Sequence, residues 1–441
     1  MASPSRNHVS IFDKRGTKLV ALPLVAVIAM LLVIVVMTIL LWSIWRSSDT
    51  RLIVREPGDF QTMLPSIAGV TQGNIDKGNQ VQLLENGDGF FPPLLADIAA
   101  ARETIHIESY IWWKGEVCRQ LANALAAKSK QGIEVRLMVD ASGGHKMDKE
   151  LEKLMVDAGV KLHRFHQIRL KNLARINNRD HRKIAVIDGR IGYIGGYGIA
   201  EEWTGHGQDK QHWRDTGVRV TGPVVARMQG AFCENWIEET GEVPAGPKYF
   251  PQLSATGSTP VHLAYTSPTG SVSSVQVLYY LAIKSARKQI IIQNPYMLPD
   301  SDAIEALTDA VKRGVDVRIM VPATQSTDSP IVQHASHHHF GDLLKKGVKI
   351  YEYKKTLLHQ KVIIVDGVWS CVGSTNFDDR SFDLNDEISM GILDTNLANQ
   401  LKAAYDNDMH ECEERHFEEW RDRPLWHKMM DGLAYLANDE L

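Results

Sequence analysis

The sequence predicts an α/β protein of two pseudo-symmetric lobes, each with a central mixed, largely parallel sheet, preceded by an N-terminal transmembrane helix. Three observations predict it. An in-frame duplication sets HRKIAVIDGRIGYIGGYG (His181 to Gly198) against HQKVIIVDGVWSCVGSTN (His359 to Asn376). Apolar strand-like runs alternate with helical patterns on both sides of each copy, the signature of sheets covered by helices. Leu19 to Trp45 carries no charged residue.

That apolar stretch is long enough at about 1.5 Å per residue to cross a bilayer of about 30 Å with some tilt. Trp42 and Trp45 stand at its end, where interfacial aromatics collect. It lacks the small-residue cleavage site of a signal peptide. Arg6, Lys14, Arg15 and Lys18 precede it and Arg46, Arg51 and Arg55 follow, so charge leaves its orientation open. The expected divisions are a basic tail (1–18), an anchor (19–45), a linker (46–79), a first lobe (80–250), a second lobe (251–395) and a helical tail (396–441).

In the first lobe, strands are expected at 81–84, 104–111, 133–139 and 160–165, and helices at 90–101, 116–131 and 148–158. The second lobe repeats the order, with strands at 260–265, 289–294, 315–321 and 348–353 and helices at 274–286, 302–313 and 332–345. IEVRLMV and VDVRIMV are the most alike of the paired strands. The tail carries Trp420, Trp426, Met429, Met430 and Tyr435, read as packing against the body.

Within each copy, four apolar residues separate the Lys from Asp-Gly, a hairpin signal because both turn residues tolerate positive φ. Residues two apart on a strand share a face, so His181 lies with Lys183 and His359 with Lys361; Asp188 and Asp366 point the other way. A two-residue turn sets Gly196 opposite His181 and Ser374 opposite His359, with Asn376 on the face of Ser374. Lys is a point charge suited to phosphate oxygens, and metal sites rarely set Lys beside a ligand. Two His and two Lys therefore suit phosphoryl transfer, one His as nucleophile and the other as general acid. A buried structural role for each His is the alternative that the in-frame repetition argues against.

These residues resemble the phospholipase D superfamily, and the continuation NFDDRSFDLNDE (Asn376 to Glu387) is similar to its bacterial cardiolipin synthase-like branch. The resemblance runs from about Gln80 to Leu393. It implies a phosphatidyltransferase working through a phosphohistidine, with His181, Lys183, Asp188, His359, Lys361 and Asp366 as catalytic motif residues and His181 as the nucleophile. Ser374 and Asn376 are the implied phosphate ligands. The acids that orient the two imidazoles are then Asp215 in HWRDTGVRV and Glu387 in LNDE. Gly198 departs from the pattern: it stands where the second copy has Asn376, which removes one amide ligand. No cofactor and no metal are implied. The expected partners are phospholipids, phosphatidylglycerol first, and a lipid bilayer, on a bacterial inner membrane. Hydrolysis to phosphatidic acid is the runner-up; a nuclease or an inactive scaffold stands behind it.

Formal net charge is −4 over 441 residues, without the basic excess of a nucleic-acid binder. Cys118, Cys233, Cys371 and Cys412 follow no disulfide or metal spacing. Two stretches remain outside this frame. Residues 168–179 interleave Arg169, Lys171, Arg175 and Arg179 with apolar side chains, which suits an anionic membrane surface or an ordinary solvated loop. HASHHHF (His334 to Phe340) suggests a metal through His334 and His338 at i, i+4, yet reads more readily as a rim helix.

Overall fold

The computed structural model describes residues 26–38, 51–55, 57–167, 177–268 and 272–436. The chain divides into Met1–Thr50 and Arg51–Leu441. In the first unit, residues 26–38 form a helix whose apolar side chains are exposed. The rest of the expected anchor lies outside the described residues. Among the described residues, no helix is long and apolar enough to cross a membrane.

The second unit is built on one sixteen-stranded sheet. Its first half holds β1 (Ile75–Glu85), β2 (Thr104–Ser109), β3 (Glu134–Asp140), β4 (Lys161–Phe165), β5 (Arg179–Asp180), β6 (Ile184–Ile187), β7 (Ile191–Gly195) and β8 (Thr216–Thr221). The second half holds β9 (Thr259–Thr266), β10 (Gln289–Gln293), β11 (Asp316–Pro322), β12 (Lys349–Tyr353), β13 (Val362–Val365), β14 (Trp369–Gly373), β15 (Asn385–Leu393) and β16 (Cys412–Arg415). The halves run β1-β8-β7-β6-β2-β3-β4 and β9-β15-β14-β13-β10-β11-β12, joined by the antiparallel pair β1 and β9. This is the predicted pseudo-symmetry, realised as one continuous sheet.

The sheets are not largely parallel. Parallel pairing is confined to β2-β3-β4, β10-β11-β12 and the short β5-β15 ladder. Each motif hairpin and the strand after it insert antiparallel neighbours that a repeating strand-helix pattern does not announce. β6 (IAVI) and β13 (VIIV) are buried throughout, so they read as unbroken apolar runs. The linker region also carries structure: the helix Phe60–Val70 and the first residues of β1 fall within 46–79.

Three apolar clusters pack the sheet. One surrounds Leu121, Val135 and Leu137 of the first half, and one Leu278, Ile290 and Val317 of the second. The third joins Val186, Val218 and Phe232 to Ile364, Ile388 and Met390, so the halves share a core. The expected packing of the tail holds for Trp420, which is buried, but not for Trp426, Met429 and Met430. Those three lie exposed on the helix Leu425–Tyr435, whose inner face is Asp431 and Ala434.

The hairpin turns are one residue longer than predicted. Ile187 pairs with Ile191 and Val365 with Trp369, which leaves three-residue loops. Asp188 and Gly189, like Asp366 and Gly367, have positive φ, as such loops require. The extra residue shifts the register, so Gly196 and Ser374 do not stand opposite their His. The two Asp lie at the far ends of β6 and β13 from the His residues. Asp188 accepts the backbone N–H groups of Arg102, Glu103 and Thr104 at 2.7–2.9 Å, and Asp366 those of Arg287, Lys288 and Gln289 at 2.7–2.9 Å. They tie each hairpin to the start of β2 or β10. Asp188→Ala is expected to destabilise the fold by about 2–3 kcal/mol, the cost of stranding charge-assisted bonds. Denaturant unfolding measures the loss, and kcat of the folded fraction should stay near wild type; a hundred-fold fall in kcat at unchanged stability would return Asp188 to the chemistry.

Candidate active site

His181 precedes β6 and His359 precedes β13, each at the end of its half where the parallel strands finish. Each is held by the opposite half. The His181 N–H donates to the Asp386 carbonyl at 2.9 Å, and the His359 N–H to the Arg214 carbonyl at 2.8 Å. The side chains cross in the same way. His181 Nδ1 lies 2.8 Å from Glu387 Oε1, and His359 Nδ1 lies 2.8 Å from Asp215 Oδ2. Both predicted orienting acids are therefore in place, but each serves the His of the other repeat. A carboxylate acceptor on Nδ1 leaves Nε2 with the lone pair that a nucleophile or a base needs.

Both lysines turn into the same space. Lys183 donates to the His181 carbonyl at 2.8 Å, and Lys361 to the His359 carbonyl at 2.6 Å with its Nζ 3.2 Å from Nε2 of that ring. Tyr110 packs edge-on to His181 at 5.1 Å, and Trp203 edge-on to His359 at 5.1 Å. His181, His359 and both lysines are buried.

Burial sets the electrostatics. Loss of water pushes His359 down to about 4, with the charge of Lys361 adding to it. His181 is pushed down by burial, then by Lys183 and Lys361. Lys183 falls to about 7 through burial and the neighbouring Lys361, and Lys361 to about 8 through burial. The acids separate. Burial raises Glu387 to about 7. Burial also pushes Asp215 upward, but the His359 hydrogen bond and charge, Lys361 and the Thr216 N–H outweigh it and hold Asp215 below its ordinary value. Carboxyls driven apart in this way suit a site that must both give and take protons.

Ser374 donates to Glu387 Oε2, and Asn376 lies buried with its Oδ1 unpartnered. The first half is built differently. A Cβ on Gly196 would lie 2.3 Å from Asp215 Oδ1, so only Gly lets that carboxylate approach. A Cβ on Gly198 would lie 2.9 Å from the Trp203 ring. Trp203 Nε1 donates to Asp215 Oδ2 at 2.8 Å. The indole thus occupies the space an asparagine would need and uses it to orient the acid.

Sequence reasoning missed the buried arginines. Arg182 donates to the Ala231 carbonyl at 2.8 Å, Glu234 at 2.7 Å and the Thr266 carbonyl at 2.8 Å, bridging the halves behind His181. Arg214 reaches Asp408 at 3.1 Å behind His359. Their signal was a charged residue placed next to each motif His or candidate acid. Residues 168–176 lie outside the described residues, while Arg179 opens β5, which pairs with β15.

A family model described as cardiolipin synthase, phospholipase D-like domain matches residues 94–231 and 279–409. The chain belongs to that family. It is 36% identical over 368 residues to cardiolipin synthase 2 of Bacillus anthracis, covering 83% of this chain and 71% of the relative. It is 36% identical over 385 residues to a cardiolipin synthase of a Geobacillus strain, covering 86% and 76%. A crystal structure of phosphatidylserine synthase from Haemophilus influenzae superposes with a TM-score of 0.69 at 13% identity, covering 86% of this chain and all of that one, and shares the fold. The two family matches begin on the helix before β2 and the helix before β10, so they mark the two halves of the sheet.

The protein is therefore an enzyme of the phospholipase D superfamily, and within its own repeat Gly198 stands where the second motif has Asn376. Gly198→Asn is expected to lower stability and activity together, because the side chain displaces Trp203 from Asp215. Overpacking of this kind costs about 1–3 kcal/mol. Thermal unfolding and initial rates test it; an asparagine variant at least as active as wild type would mean that the position lacks only a ligand.

Proposed function

We propose that the protein is a phosphatidyltransferase that makes cardiolipin from two phosphatidylglycerols and releases glycerol, working at a lipid surface. The observation that carries the reading is the crossed pair of His–carboxylate bonds with two buried lysines between them. In this reading, His181 Nε2 attacks the phosphorus of the donor lipid. The P–N bond forms as the P–O bond to glycerol breaks, and His359, which takes up a proton on Nε2 when the anionic diester binds and is then an imidazolium beside Asp215, gives that proton to the departing oxygen. The primary hydroxyl of a second phosphatidylglycerol then passes its proton to His359 and attacks phosphorus, which frees His181. Lys183, Lys361, Ser374 and Asn376 hold the phosphoryl oxygens.

The unequal acids support these roles. An imidazole that must become a cation benefits from an acid that stays ionised, and Asp215 is held ionised. Glu387, raised to about 7, only has to orient the nucleophile. A bound diester supplies the negative charge that restores the lysines to their charged state. The apolar run 19–45 and the exposed face of Leu425, Trp426, Met429 and Leu433 suit a membrane location. Intact His–Lys pairs with both orienting acids argue against an inactive scaffold.

The product assay comes first. Labelled phosphatidylglycerol with wild type should yield cardiolipin and glycerol; phosphatidic acid in their place would make water the acceptor. A donor with a nitrophenolate leaving group then separates the two His, since it departs without an acid. His359→Ala should accumulate an acid-labile phosphohistidine and His181→Ala none, and the opposite pattern would exchange the roles.

The pH profile follows from the lysines. Each must be protonated to hold phosphate, and their folded values are about 7 and 8, below the ordinary 10.5. As pH rises through those values the charge is lost, so kcat/KM should fall between about pH 7 and 9. A profile flat beyond pH 9 would show that neither lysine needs its charge.

A further inference from the structure

The second lobe carries a cluster of metal-ligating side chains that the transfer chemistry does not use. His334 and His337 lie on the helix Pro330–Lys345, three residues apart and so on one face. Asp431 faces them from the helix Leu425–Tyr435 and is buried. His334 Nδ1 lies 2.8 Å from Asp431 Oδ1, and His337 Nδ1 lies 3.9 Å from the same oxygen. One ligand atom from each of the three falls within 4.8 Å of the others. This is not the i, i+4 pair the sequence suggests, because His338 turns away to stack on Tyr435 at 4.3 Å.

The surroundings fit a transition metal. Ligands at about 2.0–2.1 Å in a tetrahedral site stand roughly 3.3 Å apart, and the observed 2.8 and 3.9 Å bracket that spacing. His337 Nε2 lies 3.2 Å from Gln333 Nε2 and 3.2 Å from Glu352 Oε1. Gln333 Nε2 also donates to the Pro322 carbonyl, so it is the donor to His337 Nε2, and the buried Glu352 Oε1 is left without one; a metal on Nδ1 moves the ring proton to Nε2, which then donates to Oε1. A carboxylate behind a ligating imidazole fixes its tautomer and strengthens it as a ligand. The cations present take the other oxygens: Arg423 is 2.7 Å from Asp431 Oδ2, and Arg415 is 2.6 Å from Glu352 Oε2. That leaves Asp431 Oδ1 to the two imidazoles. The fourth direction opens on a cavity of about 420 Å³ whose wall also carries His416 and His427.

We propose that His334 Nδ1, His337 Nδ1 and Asp431 Oδ1 bind a divalent transition metal, zinc by its fit to two imidazoles and a carboxylate, and that the ion pins the C-terminal helix to the second lobe. The proposal does not depend on the identity of the lipid acceptor.

The test uses the full chain in detergent, stripped with chelator and titrated with zinc sulfate. One zinc per chain should bind, with a rise in the thermal midpoint. Cobalt in its place should give the intense visible absorption of a tetrahedral site. His334→Ala, His337→Ala and Asp431→Asn should each abolish the stoichiometric site, and Glu352→Gln should weaken it about ten-fold. A double His338→Ala, His339→Ala variant should bind as wild type does. If wild type binds no zinc, or if the double variant loses binding as fully as His337→Ala, the histidines act as an unspecific run or as plain ion pairs and the proposal falls. Wild-type titration and the cobalt spectrum do not depend on any variant folding.

Discussion

The crossed hydrogen bonds from His181 to Glu387 and from His359 to Asp215 are the interaction on which the rest of the structure depends. Neither half of the chain can orient its own imidazole. The sheet must therefore be continuous, and β1 and β9 make it so by pairing edge to edge. The β5-β15 ladder and the paired backbone bonds at Asp386 and Arg214 bring each motif strand under the other half. A duplicated lobe with a complete site of its own would not need these bonds. This one exchanges acids, which ties activity to the relative position of the halves.

Such a site is expensive to fold. Two lysines, two imidazoles and two carboxyls are buried together, and the lowered lysine and histidine values show that burial outweighs the attractions among them. The arginines behind the site offset part of that cost. Arg182 and Arg214 are buried, yet each donates several hydrogen bonds to carboxylates and carbonyls across the two halves. They fasten the backbone next to each His.

Much of this was legible in the sequence, because the signals were local and repeated. Alternation of strands and helices located most elements, and duplication of the His-Lys pair located the reacting groups. Asp215 and Glu387 were reached only through the family resemblance, and their crossing was not reached at all. Sequence spacing carries no information on which of two equivalent partners a side chain meets. The share of parallel pairing was overestimated because β7 and β14 close hairpins and β8 and β15 return after connections that hold no crossover α-helix, the element that announces parallel pairing. The turn length was misread for a smaller reason. Asp-Gly suits a two-residue turn, but here Arg190 and Val368 extend it, and each Asp is drawn towards the free N–H groups at the start of the neighbouring strand.

The same comparison gives meaning to the broken symmetry at Gly196 and Gly198. In the second half, Ser374 donates to Glu387 and Asn376 stands in the site. In the first half, both positions lack a side chain, and the volume goes to Asp215 and the Trp203 indole. The two acids also shift in opposite directions, each for its own reason. Asp215 is held ionised against burial by the His359 hydrogen bond and charge, by Lys361 and by the Thr216 N–H, while burial raises Glu387 to about 7 although Ser374 donates to it. Two motifs built on the same His-Lys-Asp-Gly frame therefore face acids of different proton affinity.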